Sequence, residues 1–148
     1  MTDFRQLSAQ VWASPQITPA EVAEAKKLGF AAIINNRPDG EAPDQPSGKE
    51  IEAAAQAAGL AYHAIPIDHS GFSEDQALAM ADLLAQIEGP ILAFCRSGTR
   101  STLLWALARA ATGENPASLS ESAQAAGYSL APIAPALNQL AERARNSG

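Results

Sequence analysis

The sequence predicts an α/β protein with a central, mainly parallel sheet flanked by helices and with a helical C-terminal third. In the first two thirds, short apolar runs of strand length alternate with helix-compatible segments, a pattern typical of βαβ units. Capping sequences open three of the helical segments, and glycines follow where helices should end. Beyond residue 111 the apolar residues recur at helical spacing.

The first unit begins with a short predicted strand, Gln10 to Ala13. Thr18 to Glu21 is a capping-box sequence with proline at the first helical position, so a helix should begin there. Gly29 is the expected end of that helix. The apolar run Phe30 to Asn35 is the next predicted strand, of the fully buried kind.

The second unit starts after a loop rich in Pro, Gly and Asp, from Arg37 to Gly48. Ser47 to Glu50 is a second capping-box sequence, and it opens an alanine-rich helix expected to end at Gly59. Ala61 to Ile67 is the strand predicted to follow.

The third unit starts at a third capping-box sequence, Ser73 to Gln76, whose helix should run to about Glu88. Gly89-Pro90 then turns the chain into the strand that delivers the only cysteine, Cys95. A further helix is expected from Ser101 to Ala111.

The C-terminal third is predicted to contain helices alone. Asn115-Pro116 should start one helix and Gly127 should end it. Four apolar residues then recur at helical spacing and predict a last helix: Leu130, Ile133, Leu137 and Leu140.

Composition fits a single globular domain spanning residues 1–148, with 47% hydrophobic residues. The net charge of -6 argues against nonspecific binding to nucleic acid or to an anionic membrane. One cysteine rules out an internal disulfide, the two histidines lack the companions of a metal site, and no cofactor is expected. Without an apolar leader or a run of membrane-span length, a cytoplasmic location is expected.

The run Ile91 to Ser101 carries the strongest chemical signal. An apolar strand leads to Cys95, and a short loop with Gly98, where a tight turn needs positive φ, leads into a helix. Loop amides at a helix N-terminus attract anions, and the same field favours a thiolate at the lip of the cradle. Arg100 adds a planar fork for a tetrahedral oxyanion. The loop residues expected to bind substrate are Arg96, Ser97, Gly98 and Thr99.

The alternative for Cys95 is a structural one, because single cysteines are usually buried small hydrophobes. Two flanking arginines in an acidic chain, Arg96 and Arg100, favour a functional thiolate, since a buried thiol has no need of adjacent cations. A noncatalytic anion-binding module that uses the same cradle also stays open.

Three loops should leave the carboxyl ends of parallel strands and converge, since ligands bind at that edge. They are Asn35 to Gly40, Asp68 to Ser73, and Cys95 to Arg100. Arg37 in the first loop is expected either to touch substrate or to pin the loop.

The sequence resembles a known bacterial family through four segments in order: residues 13–18, 33–40, 65–68 and 95–101. The last of them, Cys-x-x-Gly-x-Arg-Ser, is similar to the active-site loop of cysteine-dependent phosphatases and of rhodanese-type sulfurtransferases. The family is the phosphatase-like domain of beta-lactamase-hydrolase-like proteins, also called DUF442, which occurs alone or fused ahead of a metallo-β-lactamase-like domain. The resemblance implies a cysteine-phosphatase-like fold.

The resemblance implies a phosphatase that acts on a phosphorylated small molecule or protein. Cys95 would attack phosphorus and form a phosphocysteine, while Arg100 and the loop amides hold the equatorial oxygens. Ser101 stands where the phosphatase pattern has Ser or Thr, and its hydroxyl would stabilise the departing thiolate. The alternative for Ser101 is a helix N-cap.

A phosphatase also needs an acid that protonates the leaving oxygen. Asp68 is the first candidate because its position, directly after Ile65-Pro66-Ile67, resembles the mobile-acid loop of dual-specificity phosphatases. Asp75 is the rival, although an early residue of a capped helix has a structural role already. His69 could assist Asp68, whereas His63 lies in a strand pattern and is expected to be structural.

Two differences from the phosphatase pattern leave a sulfurtransferase as the second interpretation. The phosphatase loop is Cys-x5-Arg, whereas Arg100 comes one residue early and gives Cys-x4-Arg. Phe94 also replaces the usual histidine before the cysteine. The tighter loop suits a Cys95 persulfide, and sulfur transfer would leave Asp68 without a role.

Overall fold

The computed structural model describes residues 2–147, apart from the side chain of Ser147. Its centre is a five-stranded sheet in the order β1-β2-β5-β3-β4. Four strands run parallel, and β1 pairs antiparallel with β2 at one edge. The strands are β1 Arg5–Gln6, β2 Val11–Ser14, β3 Ala32–Asn35, β4 Ala61–Ala64 and β5 Ile91–Phe94. The predicted fold class is confirmed.

Helices cover both faces of the sheet. One apolar cluster joins the first two helices to one face, and a larger cluster joins the other four to the opposite face. The first pair is α1 Pro19–Lys27 and α2 Gly48–Ala58. The second group is α3 Glu74–Gln86, α4 Thr99–Ala111, α5 Pro116–Ala125 and α6 Ala134–Ser147, with a 3₁₀ turn at Ala131–Ile133 before α6.

The helix boundaries follow the local capping chemistry. Thr18 and Ser73 form the reciprocal capping boxes that the sequence predicts. The side chain of Ser47 accepts a hydrogen bond from the backbone N–H of Glu50, which is one of the two bonds of the predicted capping box. Gly59 ends α2 in the left-handed conformation, as expected for a glycine that follows a helix.

Some predicted boundaries are wrong by a few residues, and one strand was not predicted. β1 has two residues and no apolar pattern of its own, because it forms only by pairing with β2. β4 ends at Ala64 instead of Ile67, although the Ile65 and Ile67 amides still donate to the carbonyls of Asn35, at the end of β3, and of Asn36. α4 starts at Thr99 because Gly98 already turns the chain.

β5 occupies the middle of the sheet and determines where the site lies. Its four residues are fully buried, since helices pack on both of its faces. The next residue is Cys95, so the cysteine lies at the carboxyl edge of the sheet, beside the residues that follow β3. Within residues 2–147, no helix combines the length and apolar character needed to cross a membrane.

Candidate active site

Cys95 lies at the base of the loop rather than at its lip, so that part of the expectation is wrong. Its side chain is fully buried because β5 carries it into the core, where its N–H donates to the Ser14 carbonyl over 3.3 Å. Its Sγ accepts the backbone N–H of Gly98 over 3.1 Å. A backbone donor therefore points directly at the sulfur.

Gly98 makes the turn between the cysteine and α4. Its φ is +93°, as the sequence predicts, and it is the N-cap residue of α4. The loop therefore ends at the N-terminus of a 13-residue helix, where the exposed end of the peptide dipoles favours negative charge.

Arg100 is held in one orientation by three hydrogen bonds. Its Nη1 donates to Glu41 Oε2 over 2.8 Å and to the Ile67 carbonyl over 2.7 Å, and its Nη2 donates to Glu41 Oε1 over 2.8 Å. A guanidinium carries five N–H groups. The remaining two, on Nε and Nη2, share one edge, and no oxygen of residues 2–147 accepts from them.

The electrostatics of Arg100 tie it to the cysteine. The pKa of Arg100 is raised, first by its hydrogen bonds to Glu41 and then by attraction to Cys95. Arg100 thus stays charged beside the sulfur, with an edge that fits two oxygens of a tetrahedral anion.

Glu41 links Arg100 to Arg37, two of the three arginines that the sequence associates with the site. Its Oε1 also accepts Arg37 Nε over 3.0 Å, and its side chain is 27% exposed. The hydrogen bond to Arg100, and then that to Arg37, lowers the pKa of Glu41 to about 2. Glu41 is therefore a carboxylate throughout the physiological pH range.

Arg37 is buried behind Glu41, with only 5% of its side chain exposed. Its Nη1 donates to Gln16 Oε1 over 3.0 Å, and its backbone N–H donates to Asn35 Oδ1 over 2.9 Å. These contacts fit the loop-pinning alternative for Arg37, and direct contact with substrate remains a prediction.

Ser101 is fully buried, and its Oγ donates to Asn36 Oδ1 over 2.7 Å. The amide of Asn36 in turn donates to the Ile65 carbonyl over 3.0 Å. The N-cap alternative for Ser101 is wrong, because Gly98 has that position. Its role in stabilising a departing thiolate stays a prediction.

The other loop residues form an exposed outer rim. The backbone carbonyl of Arg96 accepts a hydrogen bond from the Gln16 N–H over 3.2 Å. Ser97 Oγ donates to Thr99 Oγ1 over 3.0 Å. These three residues thus lie on the exposed side of the loop, and substrate contact through Arg96, Ser97, Gly98 and Thr99 remains a prediction.

Asp68 follows Ile67, the residue whose carbonyl accepts from Arg100, so it lies at the same edge of the sheet. It is exposed, and its Oδ1 accepts the Ser70 hydroxyl over 2.5 Å and the Ser70 N–H over 2.9 Å. These two bonds lower the pKa of Asp68. Asp75 is exposed in the first turn of α3.

Neither histidine belongs to the cysteine loop. His69 is exposed in the loop after Asp68, and His63 is partly exposed on β4. In the described part of the chain, no three His, Cys, Asp or Glu side chains are grouped so that they could hold a metal ion.

Sequence reasoning missed Glu41, Asn36 and Tyr128. Tyr128 donates its hydroxyl hydrogen to the Ser97 carbonyl over 3.1 Å. A signal for Glu41 existed, because it belongs to the loop that leaves the carboxyl end of β3. That loop also contains Asp39 and Asp44, and nothing in the sequence indicates which acid reaches Arg100.

Comparison with known proteins agrees with the four-segment resemblance. A family model for the phosphatase-like domain of beta-lactamase hydrolase-like proteins matches residues 3–112. The chain belongs to this family. A beta-lactamase hydrolase-like protein of Xylella fastidiosa strain Temecula1 is 39% identical over 100 residues, which are 68% of this chain and 23% of that protein. The phosphatase-like domain thus spans about a quarter of the length of such curated relatives.

Solved structures share the fold of this phosphatase-like domain. A Neisseria meningitidis protein proposed to be a phosphatase has a TM-score of 0.83 and 33% identity, with 95% of this chain and 99% of that one covered. A DUF442 protein of Shewanella putrefaciens has a TM-score of 0.74 at 21% identity, with coverages of 99% and 91%. At that identity the second likeness concerns the fold alone.

Proposed function

We propose that this phosphatase-like domain hydrolyses phosphate monoesters through a phosphocysteine formed at Cys95. The observation that carries the proposal is the Nε–Nη2 edge of Arg100, because Glu41 and Ile67 take the other three donors. A guanidinium edge beside a sulfur nucleophile suits a phosphoryl group. Its two N–H groups can donate to two equatorial oxygens as their charge changes during attack on phosphorus.

The reaction would proceed in two displacements. The Cys95 thiolate attacks phosphorus, the bond from phosphorus to the alcohol or phenol oxygen breaks, and that oxygen takes a proton from Asp68. Water then attacks the phosphocysteine, the phosphorus–sulfur bond breaks, and inorganic phosphate leaves. The water proton returns to Asp68, so the thiolate and the acid are both regenerated.

Loop length favours sulfur transfer as a second candidate. The loop from Cys95 to Arg100 has six residues, and the Gly98 N–H already donates to the sulfur. The lowered pKa of Asp68 also fits a site that needs no proton donor, because it disfavours the protonated carboxyl.

The test compares hydrolysis of an aryl phosphate with transfer of sulfur from thiosulfate to cyanide, using the wild type and Cys95→Ser. We expect the wild type to hydrolyse the phosphate, and Cys95→Ser to lose essentially all turnover, because a hydroxyl stays protonated where a thiolate forms. Ser129→Ala is the matched control, since Ser129 is exposed and its hydroxyl caps a local turn.

Each outcome decides between the candidates. Thiosulfate–cyanide transfer that depends on Cys95, without phosphate hydrolysis, would establish the sulfurtransferase instead. Hydrolysis by Cys95→Ser at the wild-type rate would remove Cys95 as the nucleophile.

A further inference from the structure

Tyr128 contacts the cysteine loop from a part of the chain that the family match does not include. It follows α5, beyond the matched residues 3–112, and only 8% of it is exposed. Its hydroxyl donates to the Ser97 carbonyl over 3.1 Å. The C-terminal third thus reaches the loop that carries the nucleophile.

The Ser97 carbonyl and the Gly98 N–H belong to the same peptide unit. That peptide is trans, so its C=O and its N–H point in opposite directions. The N–H end donates to Cys95 Sγ over 3.1 Å, while the C=O end accepts from Tyr128. A single rigid plane therefore connects the tyrosine hydroxyl with the sulfur.

The position of Tyr128 is fixed from both sides. The guanidinium of Arg5 lies over its ring, 5.2 Å from the ring centroid, and Arg5 Nη1 donates to the Ala126 carbonyl over 3.3 Å. On the other side, a Cβ at Gly98 would lie 2.2 Å from Tyr128 Oη. The hydroxyl therefore fits against the loop only because residue 98 is glycine.

We propose that Tyr128 is a positioning residue that holds the Ser97–Gly98 peptide so that the Gly98 N–H points at Cys95 and stabilises its thiolate. The role rests on the proposed function of Cys95 as nucleophile. Two groups besides this peptide interact electrostatically with the cysteine, the guanidinium of Arg100 and the hydroxyl of Tyr128 itself. Burial raises the pKa of Tyr128, so at neutral pH it acts as a neutral hydrogen-bond donor.

The test is Tyr128→Phe, which keeps the ring under Arg5 and removes only the hydroxyl. Iodoacetamide, a neutral alkylating reagent, is applied to Cys95 over a range of pH, and the pH of half-maximal rate is compared with that of the wild type. Loss of one hydrogen-bond constraint should move that midpoint up by about 0.5–1 pH unit, which is a three- to tenfold loss of thiolate at lower pH. The midpoint is the readout because easier access of the reagent to Cys95 would raise the plateau rate and leave the midpoint unchanged.

Tyr62→Phe is the matched control. Tyr62 lies on the edge strand β4, which β3 separates from β5, and its hydroxyl accepts a hydrogen bond from the Asn35 amide over 3.0 Å instead of bonding to the cysteine loop. We expect its alkylation midpoint to equal that of the wild type. An equal shift in both variants, or an unchanged midpoint in folded Tyr128→Phe, would overturn the proposal.

A second measurement guards against a variant that fails to fold. Arg5→Gln removes the cation over the Tyr128 ring and should shift the alkylation midpoint in the same direction as Tyr128→Phe. Hydrogen exchange of the Gly98 amide should be faster in both variants than in the wild type. Exchange as slow as in the wild type would contradict the proposal. Alkylation and exchange need no substrate, so absence of phosphate hydrolysis in the wild type would count against the proposed function and leave this test intact.

Discussion

Asp68 and Ser70 form a small hydrogen-bonded turn at the edge of the site. The two bonds from Ser70 lower the pKa of Asp68, which is exposed. A general acid works in its protonated form, which exists below its pKa. With a lowered pKa, the proton donor is therefore lost at a more acidic pH than for an ordinary aspartate.

Asp68→Asn should slow the hydrolysis of alkyl phosphates by about 10²-fold or more and should barely affect activated aryl phosphates, whose leaving groups depart unaided. Steady-state rates on both substrate kinds check this, and Asp75→Asn, at the rival acid, is the matched control. Equal effects of Asp68→Asn on both substrate kinds would count against Asp68 as the acid.

Ser70→Ala should raise the pKa of Asp68 and move the basic limb of the pH profile for alkyl phosphate hydrolysis to higher pH.

At the scale of the elements, the turn into α4 determines the geometry of the loop. Gly98 combines a positive φ with a close approach to two other segments, since a Cβ there would also lie 3.4 Å from the backbone carbon of Ser14. The loop is thus enclosed by β2, by the start of α4 and by the segment after α5.

Gly98→Ala should destabilise the protein more than Gly29→Ala does. Both glycines have positive φ, +93° and +98°, but a Cβ at Gly29 meets nothing within 4 Å. Gly29→Ala should cost about 1–2 kcal/mol from backbone strain alone. Urea unfolding measures both variants, and adding Tyr128→Phe to Gly98→Ala should recover part of the extra loss. Equal destabilisation at the two positions would show that the contact with Tyr128 is unimportant for stability.

The elements that the sequence predicts well are those whose signals are local. The capping boxes at Thr18 and Ser73 act within four residues, and both were predicted correctly. β1 was missed because its two residues are defined by pairing with β2 alone. The start of α4 was misplaced by two residues because the sequence does not reveal that Gly98 is the N-cap residue.

The same distinction applies to the site. The spacing of Cys95, Gly98 and Arg100 is readable because the three lie in one loop. Glu41 is 59 residues from Arg100 and Tyr128 is 31 residues from Ser97, so their contacts depend on the tertiary fold. The burial of Cys95 also depends on the central place of β5 in the sheet, which no local pattern encodes.

At the scale of the whole molecule, Glu41 connects the charge of the site with the stability of the fold. Its carboxylate joins the loop after β3 to α4 through Arg100 and to Gln16 through Arg37. Its folded-state pKa of about 2 lies below the ordinary value of 4.5. The stability it contributes is therefore fully present above pH 4.5 and is lost as pH falls through about 2.

Glu41→Gln should lower the free energy of unfolding at neutral pH, and the difference from the wild type should shrink as pH falls below 4.5. Urea unfolding at several pH values measures this. Asp44→Asn is the matched control, because it removes one negative charge from the same loop and Asp44 is exposed. A difference between the wild type and Glu41→Gln that does not vary with pH would contradict the ionic role of Glu41.

The contacts around Cys95 also bear on the order in which the chain becomes reactive during folding. Ser14 and Gly98 form hydrogen bonds with Cys95, and Arg100 interacts with it electrostatically. Glu41 in turn bonds to Arg100, and Tyr128 bonds to the Ser97 carbonyl. Contacts between such distant parts of a chain form late, because each closes a long loop. A nascent or partly folded chain therefore has Cys95 without these partners, and the full set of contacts around it arises only when the last third has docked.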